Sequence, residues 1–215
     1  MNIYPSILEL SKEAFEEQFE RVLPHFSHFQ IDIADGIFVP HRTAQIENLE
    51  FRIQNSEPVK TFEFHLMVSD WEQEIPKIEQ LSPRVTITRV LIHLSVFNST
   101  FLTLNSTFNR GLVVNPEDDI SQNWEILKTV DTIQIMTIHP GAQGSPFIPE
   151  TLTKIDQLRE RGFSGKIILD GGINDQTLPL IMQRECLPDA VCPGSYFTKD
   201  VAERFEKLTK ISQTG

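Results

Sequence analysis

Two spacings of apolar residues alternate along this chain. Short runs rich in β-branched and aromatic residues are followed by stretches in which apolar positions return every three or four residues, the marks of strand and helix in turn. The runs fall at Ile3–Leu8, at Phe29–Pro40, where the apolar pattern breaks at Asp35-Gly36, and at Lys60–Val68. They continue at Arg89–His93, with Val85–Thr88 equally strand-like, and at Gly111–Val114, Thr132–Ile138, Lys166–Leu169 and Ala190–Cys192. Between them the helical pattern predicts Lys12–Leu23, capped by Ser11 and ended by Pro24, and Gln45–Gln54, closed by Asn55 and Pro58. It further predicts Trp71–Leu81, capped by Asp70 and kinked at Pro76, and a segment through Lys128 capped by Ser121. Glu150–Arg161, Gln176–Arg184 and Val201–Ile211 complete the set, while Phe97–Phe108 is Thr/Ser/Asn-rich and specifies only a short helix.

Eight strands alternating with helices over 215 residues predict an α/β fold, a single (βα)8 TIM barrel spanning 1–215. An open doubly wound sheet would carry a glycine-rich turn after its first strand. Here that turn is Pro5-Ser6, and the glycines come late.

Bulk properties narrow the function without choosing it. The net charge of −11 argues against a nucleic-acid partner, and no run approaches the length of a membrane span, so no membrane partner is expected. Only Cys186 and Cys192 occur, at a spacing that matches no usual zinc motif. With no apolar leader segment, they predict a reduced, cytoplasmic protein.

The chemistry gathers at strand ends. Asp32, His65 and Asp170 each close an apolar run, which brings two carboxylates and an imidazole to one rim of the sheet. Such a set suits a divalent first-row ion such as zinc, iron or manganese, and Gln30, on the face of Asp32, adds only a weak neutral amide donor. A buried Asp that caps its loop and an interior His satisfied by neighbours are the bland alternatives, and three strands delivering such groups to one rim weigh against them. Opposed carboxylates from the second and seventh strands can remove a proton from one face of a carbon acid and return it to the other. A metal beside them would stabilise the enediolate between the two steps. Gly141 to Gly144, Gly171-Gly172 and Gly194-Ser195 follow the sixth, seventh and eighth strands and can present backbone N–H groups to a phosphate. Met67 and Met136 read first as core, His93 as structural, and His139 is left open as a phosphate or substrate contact.

In chain order, Pro5-Ser6-Ile7-Leu8, Ile31 to Pro40 (IDIADGIFVP), His65-Leu66-Met67-Val68, Asn115-Pro116, Met136 to Gly141 (MTIHPG), Asp170-Gly171-Gly172-Ile173 and Gly194-Ser195-Tyr196-Phe197 resemble the signatures of the ribulose-phosphate 3-epimerase family. The resemblance runs over nearly the whole chain. It implies a barrel, a divalent metal, a phosphorylated ketose as substrate, a homo-oligomer, and epimerisation at C3 of a ketopentose 5-phosphate. It also implies roles: Asp32 and Asp170 as acid/base pair and metal ligands, His65 as ligand, and Ser6 on the substrate. Gly141, Gly144, Gly171, Gly172, Gly194 and Ser195 would hold the phosphate, and Met67 and Met136 would floor the pocket. Four departures stand out: Gln30 in place of a metal-binding His, Ala34 in place of a pocket Met, His139 in place of Asn, and Ala142-Gln143-Gly144-Ser145 after the first loop glycine. They motivate two further readings, a hexulose 6-phosphate 3-epimerase with space at Ala34, and a silent phosphosugar-binding homologue.

Overall fold

A computed structural model describes residues 1–49, 59–140 and 144–213. Nine parallel strands form one sheet: β1 (Asn2–Ile3), β2 (Ser6–Ile7), β3 (His28–Ala34), β4 (Thr61–Met67), β5 (Thr86–His93), β6 (Asn109–Val114), β7 (Thr132–Met136), β8 (Lys166–Asp170) and β9 (Ala190–Cys192). The helices are α1 (Lys12–Val22), α2 (Ile75–Leu81), α3 (Trp124–Leu127), α4 (Thr153–Glu160), α5 (Leu178–Met182) and α6 (Val201–Gln213). Spatial order runs β1-β9-β8-β7-β6-β5-β4-β3-β2.

The predicted first strand is thus split. Pro5 has no N–H to donate, and the ladder changes partner around it. On one side Tyr4 N donates to Val191 O at 3.0 Å and Ser6 N to Pro193 O at 3.2 Å; on the other, Gln30 N donates to Pro5 O at 3.0 Å. Residues 2–7 therefore join β9 to β3 by backbone hydrogen bonds. No helix among the described residues is long and apolar enough to cross a membrane.

Several helices are shorter than their apolar periodicity predicts, and at two of them a local hydrogen bond accounts for the late start. Trp71–Leu81 divides into a 3₁₀ turn at Trp71–Gln73 and α2. Asp70 caps nothing with its side chain, which instead accepts from Gln73 Nε2, and Pro76 lies in the first turn of α2, where a missing N–H bends nothing. Ser121 caps no helix either: its hydroxyl accepts from Arg161, Asp119 Oδ1 takes the Gln122 amide, and α3 begins only at Trp124. Asn174 Oδ1 accepts the amides of Gln176 and Thr177 in a tight turn, which delays α5 to Leu178. Pro149–Leu152 is a 3₁₀ turn leading into α4. Of the helix predicted from Gln45, Ile46–Asn48 forms a 3₁₀ turn and Leu49 is extended, while the remainder with Asn55 and Pro58 lies outside the described residues. Ser11 does cap α1, accepting from the Ala14 amide at 3.2 Å.

The main core lies between the sheet and its helices. Phe19 of α1, stacked on Phe15, meets Phe29 and Phe62, which are themselves stacked at 5.4 Å between centroids. Each such buried ring contributes about 1.5–3 kcal/mol. The opposite face of the strands, usually filled by branched apolar residues, here carries buried Gln30, Glu63, Arg89 and Gln134. Glu63 Oε2 pairs with Arg89 and lies 3.1 Å from His28 Nε2, so this buried acid is matched by a guanidinium rather than stranded.

At the carboxyl ends of the strands, Asp35 ties two loops together. Its Oδ1 accepts the Ile37 and Phe38 amides, both at 2.8 Å, and its Oδ2 accepts the Ser69 amide and hydroxyl, both at 2.7 Å. Burial opposes ionisation there, yet the Ser69, Phe38 and Ile37 donors outweigh it and hold the carboxyl at about 2. Because the folded-state value lies below the ordinary 3.8, the stabilisation is present above about pH 4 and is lost as pH falls toward 2. Asp35→Asn is expected to lower stability at pH 7 by about 1 kcal/mol, a figure discounted for partial exposure. Urea titrations at pH 7 and pH 2.5 check this: the gap between wild type and variant narrows at the lower pH, and an equal gap at both refutes it.

Candidate active site

Strand register builds the site. Asp32 and His65 are register partners on β3 and β4, and Ser6 on β2 pairs with Gln30 on β3. Met136 on β7 pairs with Asp170 on β8, which in turn pairs with Cys192 on β9. Alternate residues point to the same face, so Gln30 and Asp32 enter one interior, as do Gln134 and Met136.

One cavity of about 480 Å³, open mouth included, collects the predicted residues. Ser6, Asp32, His65, Met67, Met136, Gly144, Asp170, Gly171, Gly172, Gly194 and Ser195 all line it, joined by Leu8, Ile138, Pro140 and Cys192. Gly141 lies outside the described residues, as do Ala142 and Gln143. His139 does not line the cavity: it is exposed, with Nδ1 3.7 Å from Glu117. The space expected beside Ala34 is absent, since Ala34 is buried against Val39 and Met67 with Leu8 and Phe38 packed on that cluster.

The two carboxylates share donors. Gln30, fully buried below the cavity, donates Nε2 to Asp32 Oδ1 at 3.1 Å and to Asp170 Oδ2 at 2.9 Å. Its Oε1 accepts from Cys192 Sγ at 3.2 Å, so the amide nitrogen, not the oxygen, faces the acids. His65 Nδ1 lies 3.1 Å from Asp32 Oδ1 and 3.3 Å from Asp170 Oδ2. Ser6 Oγ donates to Asp32 Oδ2 at 2.6 Å, and Gln134 Nε2 to Asp170 Oδ2 at 3.0 Å.

Electrostatics follow from this crowding. Burial pushes Asp170 upward and the nearby Asp32 charge adds to it, against the pull of His65 and Gln30, so its carboxyl stays above the ordinary range. For His65 burial opposes the charge, but hydrogen bonds to Asp170 and Asp32 and their charges prevail and raise it to about 9. His93 goes the other way, held well below its ordinary value by burial and by the His65 charge, with its Nε2 3.0 Å from His65 Nε2.

Asp32, His65 and Asp170 place ligand atoms within 4.8 Å of one another, all buried. Two carboxylates and an imidazole so close fit a divalent cation with positions left open. Gln30 would have to turn its oxygen inward and release Cys192 to join them.

Gly171 shows why this loop needs glycine. Its φ is +110°, and a Cβ there would stand 2.4 Å from Ile138 Cγ1. Gly144 and Gly172 also take positive φ. Sequence reading missed Gln134; its even spacing from Met136 is the signal that puts it on the cavity side.

A family model described as "Ribulose-phosphate 3 epimerase family" matches residues 2–197. A ribulose-phosphate 3-epimerase of Methanocaldococcus jannaschii is 29% identical over 168 residues, 72% of this chain and 66% of that protein. One from Treponema pallidum is 28% identical over 202 residues, 90% of this chain and 89% of that one. Among solved structures, a 3-hexulose-6-phosphate synthase from Salmonella typhimurium superposes with a TM-score of 0.66 at 14% identity, covering 100% of this chain and 99% of that one. At that identity the likeness speaks for a TIM-barrel-like fold alone.

Proposed function

The chain belongs to the ribulose-phosphate 3-epimerase family, and from that premise we propose that it is a phosphosugar epimerase inverting C3 of a ketose phosphate, D-ribulose 5-phosphate to D-xylulose 5-phosphate. Its scaffold in this reading is a (βα)8 barrel with residues 2–7 as one interrupted strand. Family membership makes it an enzyme of the isomerase class. The observation that carries the substrate and mechanism is that two buried carboxylates from distant strands line the same cavity and share their donors.

With a ketose phosphate bound, one of the pair Asp32 and Asp170 takes the C3 proton while the other, protonated, delivers one to the opposite face. Burial and the neighbouring charge raise the proton affinity of Asp170, which suits a group that must hold a proton as well as release it. Ser6 fixes Asp32 by donating to Oδ2, leaving Oδ1 with Gln30 and His65. Asp32, His65 and Asp170 would hold a divalent cation such as zinc, iron or manganese, which when bound supplies Lewis-acid stabilisation to the enediolate oxygens. Gly144, Gly171, Gly172, Gly194 and Ser195 would receive the phosphate through backbone N–H groups. Met67 and Met136 give the reacting carbon an apolar, water-excluding floor.

The test is a direct assay. Purified protein, assayed with and without added divalent cation, is expected to interconvert the two pentulose 5-phosphates and to incorporate solvent deuterium at C3. Turnover of a 3-hexulose 6-phosphate instead of the pentulose would move the substrate up one carbon, and absence of either under all metal conditions would leave a phosphosugar-binding homologue.

A further inference from the structure

Gln134 sits where a barrel interior normally carries a branched apolar residue, in the middle of β7 with no exposed surface. It donates Nε2 to Asp170 Oδ2 at 3.0 Å, and the same nitrogen lies 3.9 Å from the sulfur of Met136. Its own Oε1 is buried without a hydrogen-bond partner. Packing alone gives no reason for this residue: an amide here leaves an acceptor orphaned, a loss that an apolar side chain of equal size would avoid.

Asp170 shows what is gained. Gln30 Nε2, from β3, reaches Oδ2 at 2.9 Å, and Gln134 Nε2, from β7 beside β8, reaches the same atom at 3.0 Å. His65 Nδ1 also approaches Oδ2, at 3.3 Å. All three side-chain contacts of Asp170 thus end on one oxygen, and among the described residues none reaches Oδ1. A carboxylate gripped in this way cannot rotate about its terminal bond without breaking every one of them, so Oδ1 is the oxygen kept for the reacting carbon. Reversing the Gln134 amide would set its oxygen against the carboxylate, so the acid selects the orientation seen.

We propose that Gln134 is a positioning residue for proton transfer: together with Gln30 it locks the Asp170 carboxylate so that a single oxygen addresses substrate, and through Met136 it steadies the apolar floor beside it. This rests on the epimerase reading above. Misplacing a reacting group affects the transition state more than ground-state binding, so the loss falls on turnover.

Gln134→Met keeps length and volume while removing both the donor and the orphaned acceptor. The variant is expected to lose about tenfold in kcat, at the lower end of what an outer hydrogen-bond partner supplies, with KM within about twofold and thermal stability unchanged or raised. A residue that served only the fold would lower stability and leave kcat per folded molecule intact. Unchanged kcat, or a loss of kcat explained by a lowered melting temperature, overturns the proposal. Crystal structures of wild type and Gln134→Met give a readout independent of turnover: Asp170 is expected to rotate or split into two conformers in the variant, and an unmoved carboxylate overturns the proposal equally. If Asp170 moves but the wild type turns over no ketose phosphate, the positioning stands and the substrate assignment falls.

Discussion

Asp170→Asn and Asp32→Asn are each expected to leave a folded protein in which the proposed C3 inversion is slower by about a thousandfold or more, within the range that a positioned general acid or base supplies. The amide is nearly isosteric with the acid and can turn its oxygen toward donors already present: Gln30 and Gln134, which share one oxygen at position 170, and Gln30 at position 32, where the Ser6 hydroxyl can rotate to accept from the new NH2. It cannot accept the C3 proton. Removing one charge also relieves the repulsion between two buried acids, although His65 then loses part of what keeps it protonated at neutral pH. A melting temperature within a few degrees of wild type is therefore expected, which separates lost chemistry from lost fold. A sharper signature lies in isotope exchange. With one carboxylate gone, at most one epimer still washes its C3 hydrogen into solvent at an appreciable rate, the one whose C–H faces the surviving acid, while inversion falls in both variants. Inversion near the wild-type rate in both would remove the two-carboxylate assignment.

Gln30→His is expected to tighten zinc binding by about 10- to 100-fold, measured by calorimetric titration of metal-free protein. In the wild type the group at position 30 presents N–H to the acids and gives its oxygen to Cys192. A neutral imidazole offers a lone pair in the same direction and raises the donor set from three to four. In the wild type the metal must displace the proton that His65 holds up to about pH 9. Affinity should then climb about tenfold per pH unit below that value and level off above it, a slope of one proton. Equal affinity of variant and wild type would show that Gln30 already serves as a ligand after turning its amide.

How much of this was readable in the residues differs from element to element. The strand-end acids and His65 were legible because a buried strand that ends in a charged group can place it only at the rim. The same parity argument sorts Gln30 with Asp32 and, applied to β7, would have found Gln134. The direction of an amide was not legible. It depends on Cys192 and Asp170, which lie far away in sequence and adjacent in register to each other. Two helix limits failed for a local reason: Asn174 and Asp119 compete for backbone hydrogen bonds within a turn of the expected start, and apolar periodicity is blind to that. The idea of extra room at Ala34 failed because neighbouring loops supply Val39, Leu8 and Phe38 to fill it.

The seam at residues 2–7 bears on how the molecule assembles. Its partners on one side, Ala190 and Val191, lie almost a full chain length away, while those on the other, Gln30 and Ile31, are near. Contacts of such long range form slowly, because the loop they close must first be brought to order. Ser6 sits on that seam and holds Asp32, so the reacting geometry should be the last thing to mature on refolding, after most of the secondary structure has already returned.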